Sequence, residues 1–439
     1  MDKIKNLNES EFLKLFFCFV GVFFVAAAVC MPDRGQALTG FWTILTQPCK
    51  VSTNYFAVGG YAATFLNMGL VALIYYWLFT GLKATANNVS TLGLLLTVGF
   101  SAWGINVLNI WPTILGVVIY GLVKKEKLSS LANAMLYSTG IAPIISEMLL
   151  RYPNADTVGF NLLGLFLALV VGIFIGFCLP AGLGHAPKVH KGFDLYSAAV
   201  PIGMMAFILQ GTLYKTMGVA LPAAPGADTL AVASQLTVNI FCVLFFGACI
   251  VLALTMGYGF KDYWKLLTGD FVPSISAGHG NAALLMNVGV YGLFILAYYN
   301  LIGASFNAVT FGCIFCMLAC CNSGSTPTTV WPIMLGYVLA SFGFGWFSQL
   351  LGGSFSLGIN AQAIVIGLCF ANGLSPIVSK YGWFWGAVSA LMHFVLVTSV
   401  PNMHGGFCLY NGGFTAAVIC VLLVPVLEKF AKTETASAK

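Results

Sequence analysis

A chain of 439 residues would ordinarily hold two or three soluble domains. Here 59% of residues are apolar and 7% are charged, against about 45–50% and about 25% in soluble domains. That little charge cannot coat a water-facing globule, and the +6 balance is scattered over loops. A soluble enzyme, a disordered chain, a disulfide scaffold and a nucleic-acid binder are excluded.

The first apolar run is Leu15–Met31, with Lys3 and Lys5 before it and Ala26–Ala28 near its end. That is the outline of a signal peptide, but a counterpart later in the chain marks it as part of the fold. A helix rises 1.5 Å per residue and needs about 20 residues to cross a bilayer. Spans are expected over 13–31, 57–80, 130–149, 158–180 and 194–214. Between the second and third, Val89–Trp103 and Trp111–Val123 are each short for a full crossing, and the polar joint Gly104–Asn109 separates them. Two half-helices meeting inside the membrane are expected, as a re-entrant hairpin or as two short crossings. Either returns the chain to its starting side.

The second half repeats the first. At an offset of 220 residues, Asn67 falls on Asn287 and Trp111-Pro112 on Trp331-Pro332. Shifted matches pair GIAPIIS (140–146) with GLSPIVS (373–379), and HKGFDLY (190–196) with HGGFCLY (404–410). The expected architecture is an all-α polytopic membrane protein of two repeats, 10–214 and 232–428, with 10–14 spans in total. Each repeat crosses an odd number of times, so the second is expected to lie inverted. With both termini in the cytoplasm, fifteen lysines fall inside, while Arg34, Lys50, Arg151 and Lys215 fall outside. This is the positive-inside bias.

Inverted repeats with broken helices place solute sites where half-helix ends present free backbone groups. Proline suits a first helical turn, so Trp111-Pro112 and Trp331-Pro332 are read as helix starts. Ahead of them stand Asn106 and Asn109 in copy one, and Asn322, Ser323, Ser325, Thr326, Thr328 and Thr329 in copy two. These are N-cap residue types, and a helix N-terminus at a cavity suits an anion or a polar neutral group. Asn67 and Asn287 lie mid-span and either bridge helices or touch solute. His279 and Asn281 make copy two the more polar, with His279 a ligand, a titrating group or a helix-end cap. Pro143 and Pro376 mark a second paired break, followed by the cavity candidates Ser146 and Ser379. His190 and His404 open the matched motif, which reads as structural; His404 is the other candidate for titration.

No Asp or Glu falls mid-span; Glu147 and Asp194 sit at span ends. Proton pumps usually carry intramembrane carboxylates, so their absence speaks against carboxylate-based proton coupling and cationic substrates and leaves sodium coupling and passive flow open. The thirteen cysteines lie mostly in apolar runs and read as small apolar side chains. Cys30 and Cys49 are left as a candidate pair on the outer face. There is no zinc spacing and no cluster of acid, base and nucleophile, so no metal, cofactor or enzymatic activity is expected. A membrane enzyme acting on a lipid-linked substrate is the weakest reading.

With its N…WP spacing in both halves and its H-x-G-F-x-L-Y repeats, the whole chain resembles a family of bacterial multi-pass membrane proteins carrying a duplicated domain of unknown function. The resemblance implies a bacterial cytoplasmic (inner) membrane and a duplicated fold, and brings no substrate. At fold level only, the arrangement also resembles urea channels and the seven-plus-seven nucleobase and anion transporters. The expected function is a secondary transporter for a small anionic or polar neutral solute. Its partners would be the lipid bilayer, the solute and Na+ as coupling ion, with a homo-oligomer left open. A passive channel on the same scaffold is the alternative.

Overall fold

In the computed structural model the chain is described over residues 7–153, 156–225, 234–431 and 433. Lys3, Lys5, Lys432 and Lys439 of the charge argument lie outside the described residues, as do 226–230 of the 216–230 loop that follows the outer Lys215, and 232–233 at the start of repeat two. Copy one comprises α1 (Glu9–Cys30), α2 (Ala37–Thr46), α3 (Tyr55–Gly59), α4 (Tyr61–Gly81), α5 (Asn88–Phe100), α6 (Trp111–Lys124), α7 (Ala132–Tyr137), α8 (Ala142–Leu150), α9 (Leu162–Leu183), α10 (Ala186–His190) and α11 (Ala199–Gln210). Copy two comprises α12 (Gln235–Thr255), α13 (Phe260–Thr268), α14 (Ile275–His279), α15 (Asn281–Leu301), α16 (Ala308–Leu318), α17 (Pro327–Leu350), α18 (Gln362–Ala371), α19 (Ser375–Val397), α20 (Val400–Met403) and α21 (Asn411–Phe430). Among the described residues there is no strand.

The local signals repeat with the sequence. α3 and α14, and α4 and α15, have the same bounds at the 220-residue offset. Gly60 and Gly280 join each short helix to the long one at φ +87° and +89°, a conformation that only glycine adopts without strain. Asn87 caps α5 by accepting from Ser90 N–H, and its counterpart Asn307 caps α16 by accepting from Thr310 N–H. An N-cap oxygen of this kind is worth about 1 kcal/mol.

Nine helices among the described residues are long and apolar enough to cross a membrane; Asn88–Phe100, Trp111–Lys124, Ala308–Asn322 and Trp383–Val397 are shorter apolar helices. The outer faces of α9 and α12 expose Leu162, Phe166 and Val170, and Leu236, Ile240 and Val243. Apolar surface on this scale is stable in lipid and not in water. The chain is a membrane-spanning helical protein.

Two short helices form its centre. α5 is buried all round from Ser90 to Phe100, and α16 from Ala308 to Leu318. A helix apolar on every face belongs in a core. Their backbones touch: a Cβ on Gly99 would lie 2.5 Å from the Gly312 carbonyl oxygen, and one on Gly312 would lie 2.2 Å from that of Gly99.

The arms of each hairpin are antiparallel. Ser90 meets Asn133 and Gly93 meets Leu136, so α5 runs with α7. Gly121 meets Leu128 while Thr113 meets Ser138, so α6 runs against it. In copy two, Thr310 meets Gln362 and Met317 meets Asn372, while Ser325 meets Ser375 and Tyr337 meets Gly367. Counterpart segments also make reciprocal contacts between copies. Leu195 N–H donates to the Gly373 carbonyl and Leu409 N–H to that of Gly140.

Three expectations change. Trp111 does start α6, but in copy two α17 starts at Pro327, and Pro332 lies inside it. Thr326-Pro327 provides an earlier cap and first-turn proline, which Asn106-Val107 does not. α17 is therefore 24 residues long, ~36 Å, and is no half-helix. The segment expected at 194–214 becomes helical only at Ala199 and closes with a π-turn, Gly211–Thr216. Finally, inverted repeats lead one to expect 104–110 and 322–330 to approach each other near the midplane, and the two breaks do not meet. Asn322 bonds Thr91 near the start of α5, whereas break one follows its end. The breaks lie at opposite ends of the α5–α16 pair, about 13 residues or ~20 Å apart along α5.

Candidate functional site

Both breaks are built around one asparagine. Asn67 Nδ2 donates to the Ser101 and Ile105 carbonyls at 2.7 and 2.9 Å. Asn287 Nδ2 donates to Cys321 and Ser325 at 2.8 and 2.9 Å. These acceptors are counterparts, and each is a carbonyl that the broken helix leaves without an intrahelical donor. Both asparagines are fully buried. Of the two roles open at the sequence level, they bridge.

The oxygens differ instructively. Asn67 Oδ1 accepts from Val107 N–H at 3.2 Å. Its counterpart position is Pro327, which has no N–H, and Asn287 Oδ1 accepts instead from the Tyr263 hydroxyl at 2.8 Å. In copy one the residue matching Tyr263 is Phe41.

Beyond this shared frame, copy one is sealed. Asn106 Oδ1 accepts from Leu108 and Asn109 N–H, and its amide reaches the Ile44 carbonyl. Asn109 Nδ2 donates to Gly104 O and Ser146 Oγ, both at 3.0 Å. Cys49 fills the remaining space and donates to Gly104 O at 3.3 Å. Buried there, it cannot pair with exposed Cys30, and all thirteen cysteines are free.

In copy two the same place is open. Gly324 stands where Gly104 does, with the Phe271 ring against it, and a cavity of about 230 Å³ is lined by His279, Thr326, Thr328, Thr329, Ser379 and Asp270. Thr326 caps α17, its N–H donating to Thr329 Oγ1 at 3.0 Å and its hydroxyl 2.9 Å from that of Thr328. Ser379 Oγ donates to the Ser375 carbonyl, and His279 is exposed at the rim.

The other candidates lie elsewhere. Asn322 is buried, bonding Ser276 N–H and Thr91, and Ser325 faces Ser375 at 3.0 Å. Asn281 bonds the Leu7 carbonyl. Ser323 lines a different cavity. Trp111 and Trp331 point outward, 47% and 43% exposed. Pro143 and Pro376 sit in the first turns of α8 and α19, each after a 3-10 turn. His404 is buried with its ring edge against Phe414; burial holds its pKa down at about 4.

Of the larger cavities, two that involve the matched motif escaped the sequence reading. One, about 510 Å³, is lined by Asn133, His190, Asp194, Ser197 and Ser323; the other, about 450 Å³, by Lys50, Asn402, Gly406 and Asn411. Both take in the matched motif, with Gly192 and Ser197 in one and their counterparts Gly406 and Asn411 in the other. Lys50 is buried, donates to the Pro222 carbonyl at 2.7 Å and lies over the Phe407 ring. The repeated motif was the available signal, but the charges in the two cavities, Asp194 and Lys50, are not repeated.

An apolar helical fold with two repeated helix breaks defines a polytopic membrane protein with an internal duplication. The chain belongs to the family described as "Protein of unknown function (DUF1576)", whose model matches residues 34–215 and again 262–429. No curated protein and no solved structure matches it.

Proposed function

We propose that the chain is a secondary transporter that holds a small polar solute in the copy-two opening. The observation that carries this reading is the unequal finish of two equal frames. The same asparagine bridge supports both breaks, yet one is packed shut and the other presents hydroxyls to a cavity. Hydroxyls at a helix start are suited to a carbonyl or carboxylate oxygen. The lining carries Asp270 and neither Lys nor Arg, which favours a polar neutral solute over an anion. Reciprocal contacts between the copies fit an inverted arrangement, and the lysine bias together with the family resemblance fits a bacterial cytoplasmic membrane with both termini inside. The closed centre at Gly99 and Gly312 favours a carrier over an open channel.

A thermal-shift screen of small amides, ureas and carboxylates on the purified protein tests the site, because a ligand stabilises the state it binds. A stabilising compound should lose about 0.5–1.5 kcal/mol of binding in Thr326→Val. Unchanged binding in Thr326→Val combined with Ser379→Ala, at normal expression, would sink the assignment. Saturable uptake driven by a sodium or proton gradient distinguishes a carrier from a passive channel.

A further inference from the structure

Asp194 lies between α10 and α11, 1% exposed, in the wall of the 510 Å³ cavity. Its Oδ1 accepts from Tyr196 N–H at 2.9 Å, while its Oδ2 has no partner. A buried carboxylate oxygen without a donor is costly. It is relieved by a proton or by a cation. Among the described residues no group of three or more His, Cys, Asp or Glu could hold a metal ion.

The carboxyl is not needed for the turn it sits in. Its counterpart is Cys408, and the turn there makes the same bond, Leu409 N–H to the Gly140 carbonyl matching Leu195 N–H to that of Gly373. The acid is thus a departure from the repeat, placed where copy two has a thiol.

Among the described residues no cation pairs with it. His190 Nδ1 accepts from Asp194 N–H at 3.3 Å and its Nε2 lies 2.9 Å from Ser197 Oγ. The neutral tautomer with its proton on Nε2 satisfies both, and burial keeps the ring's pKa down at about 4. The other titratable groups near Asp194 are Tyr196, Cys320 and Cys420. On adjoining segments, Lys191 is paired with Glu428 and Lys380 lies over the Phe193 ring. Burial, against the single bond from Tyr196, pushes the Asp194 carboxyl up to about 7.

We propose that Asp194 is a proton-binding site, loaded and emptied through the cavity it lines. In a carrier such a group couples solute movement to protons, a coupling the sequence reading disfavoured while leaving sodium open. That role rests on the transport reading; the site itself does not.

The full-length protein in detergent suffices for the test. Dicyclohexylcarbodiimide adds to protonated carboxyls in apolar surroundings, and peptide mass spectrometry locates the adduct. Asp194 should react about tenfold or more faster at pH 6 than at pH 8.5. The infrared difference between these pH values should contain a protonated-carboxyl band that is missing in Asp194→Asn, a variant that keeps an acceptor for Tyr196 N–H. Identical difference spectra for the two proteins would overturn the proton site. An unreactive Asp194 would overturn exchange through the cavity. Protection of Asp194 by sodium chloride relative to choline chloride would make it a metal-cation site instead. No solute enters either measurement, so failure here and failure of the transport reading are told apart.

Discussion

The Cys316 thiol lies 3.8 Å from the Leu96 carbonyl oxygen, and the two residues are the same position in the two copies. A position near a two-fold axis meets its own counterpart. The reciprocal bonds of Leu195 and Leu409 to Gly373 and Gly140 obey the same relation. The centre of the protein is therefore a contact of α5 with its own repeat.

That contact leaves no room for a side chain. Gly99→Ala and Gly312→Ala each push a methyl into facing backbone, which cannot give way as a flexible side chain would. Overpacking of this kind costs about 1–3 kcal/mol or more. Thermal unfolding in detergent should show both variants clearly destabilised, whereas Gly343→Ala, in open space on α17, should be close to neutral.

The asparagine bridges give a graded series. Asn67→Leu or Asn287→Leu strips two buried carbonyls of their donor, at about 1–3 kcal/mol for each group left unsatisfied. Tyr263→Phe removes one bond to Asn287 Oδ1 and should cost about 0.5–1.5 kcal/mol. A Tyr263→Phe effect as large as that of Asn287→Leu would show that the hydroxyl does more than replace the N–H missing at Pro327.

Much of this frame was legible. Paired asparagines, paired prolines and a 220-residue offset give the breaks, since polar residues inside apolar spans must be satisfied by something. The exchange of Val107 and Phe41 for Pro327 and Tyr263 was also present in the letters, but reading it needs the contact between α13 and α15. The burial of Cys49 was hidden for a similar reason: an irregular segment, 47–54, threads into the core. Asp194 read as a span-end acid because sequence distance from a helix says nothing about depth. Only the packing of the 191–198 link, through Asp194 and Tyr196, against Gly373 shows it to be enclosed.

Glu147 and Arg151 form a second test of burial. Arg151 meets the carboxylate at 2.6 Å with Glu147 2% and Arg151 18% exposed. Arg151→Met leaves a buried carboxylate unpaired, which costs about 3–5 kcal/mol. Adding Glu147→Gln should restore most of the loss. Thermal unfolding of the single and double variants measures the coupling, and additive effects would mean that the pair contributes nothing.

Among the described cysteines Cys30 is the exposed one, and it gives a topological reference. In intact cells an impermeant maleimide should label the wild type at Cys30 and leave Cys30→Ser unlabelled. In that background Met217→Cys should also react from outside, while Glu126→Cys and Lys261→Cys should react only after the membrane is opened. Labelling of all three from one side would break the inverted arrangement.

The touching glycines of α5 and α16 also fix the order of biogenesis. The α5–α6 hairpin leaves the ribosome about 220 residues before its partner, roughly 10–40 s at ordinary elongation rates. During that interval copy one holds a helix break with nothing against its central face. A chain cut within the 217–234 link would leave that face to lipid, so the first half has no complete core of its own. Made alone, it should be degraded, and making the second half in the same membrane at the same time should rescue it.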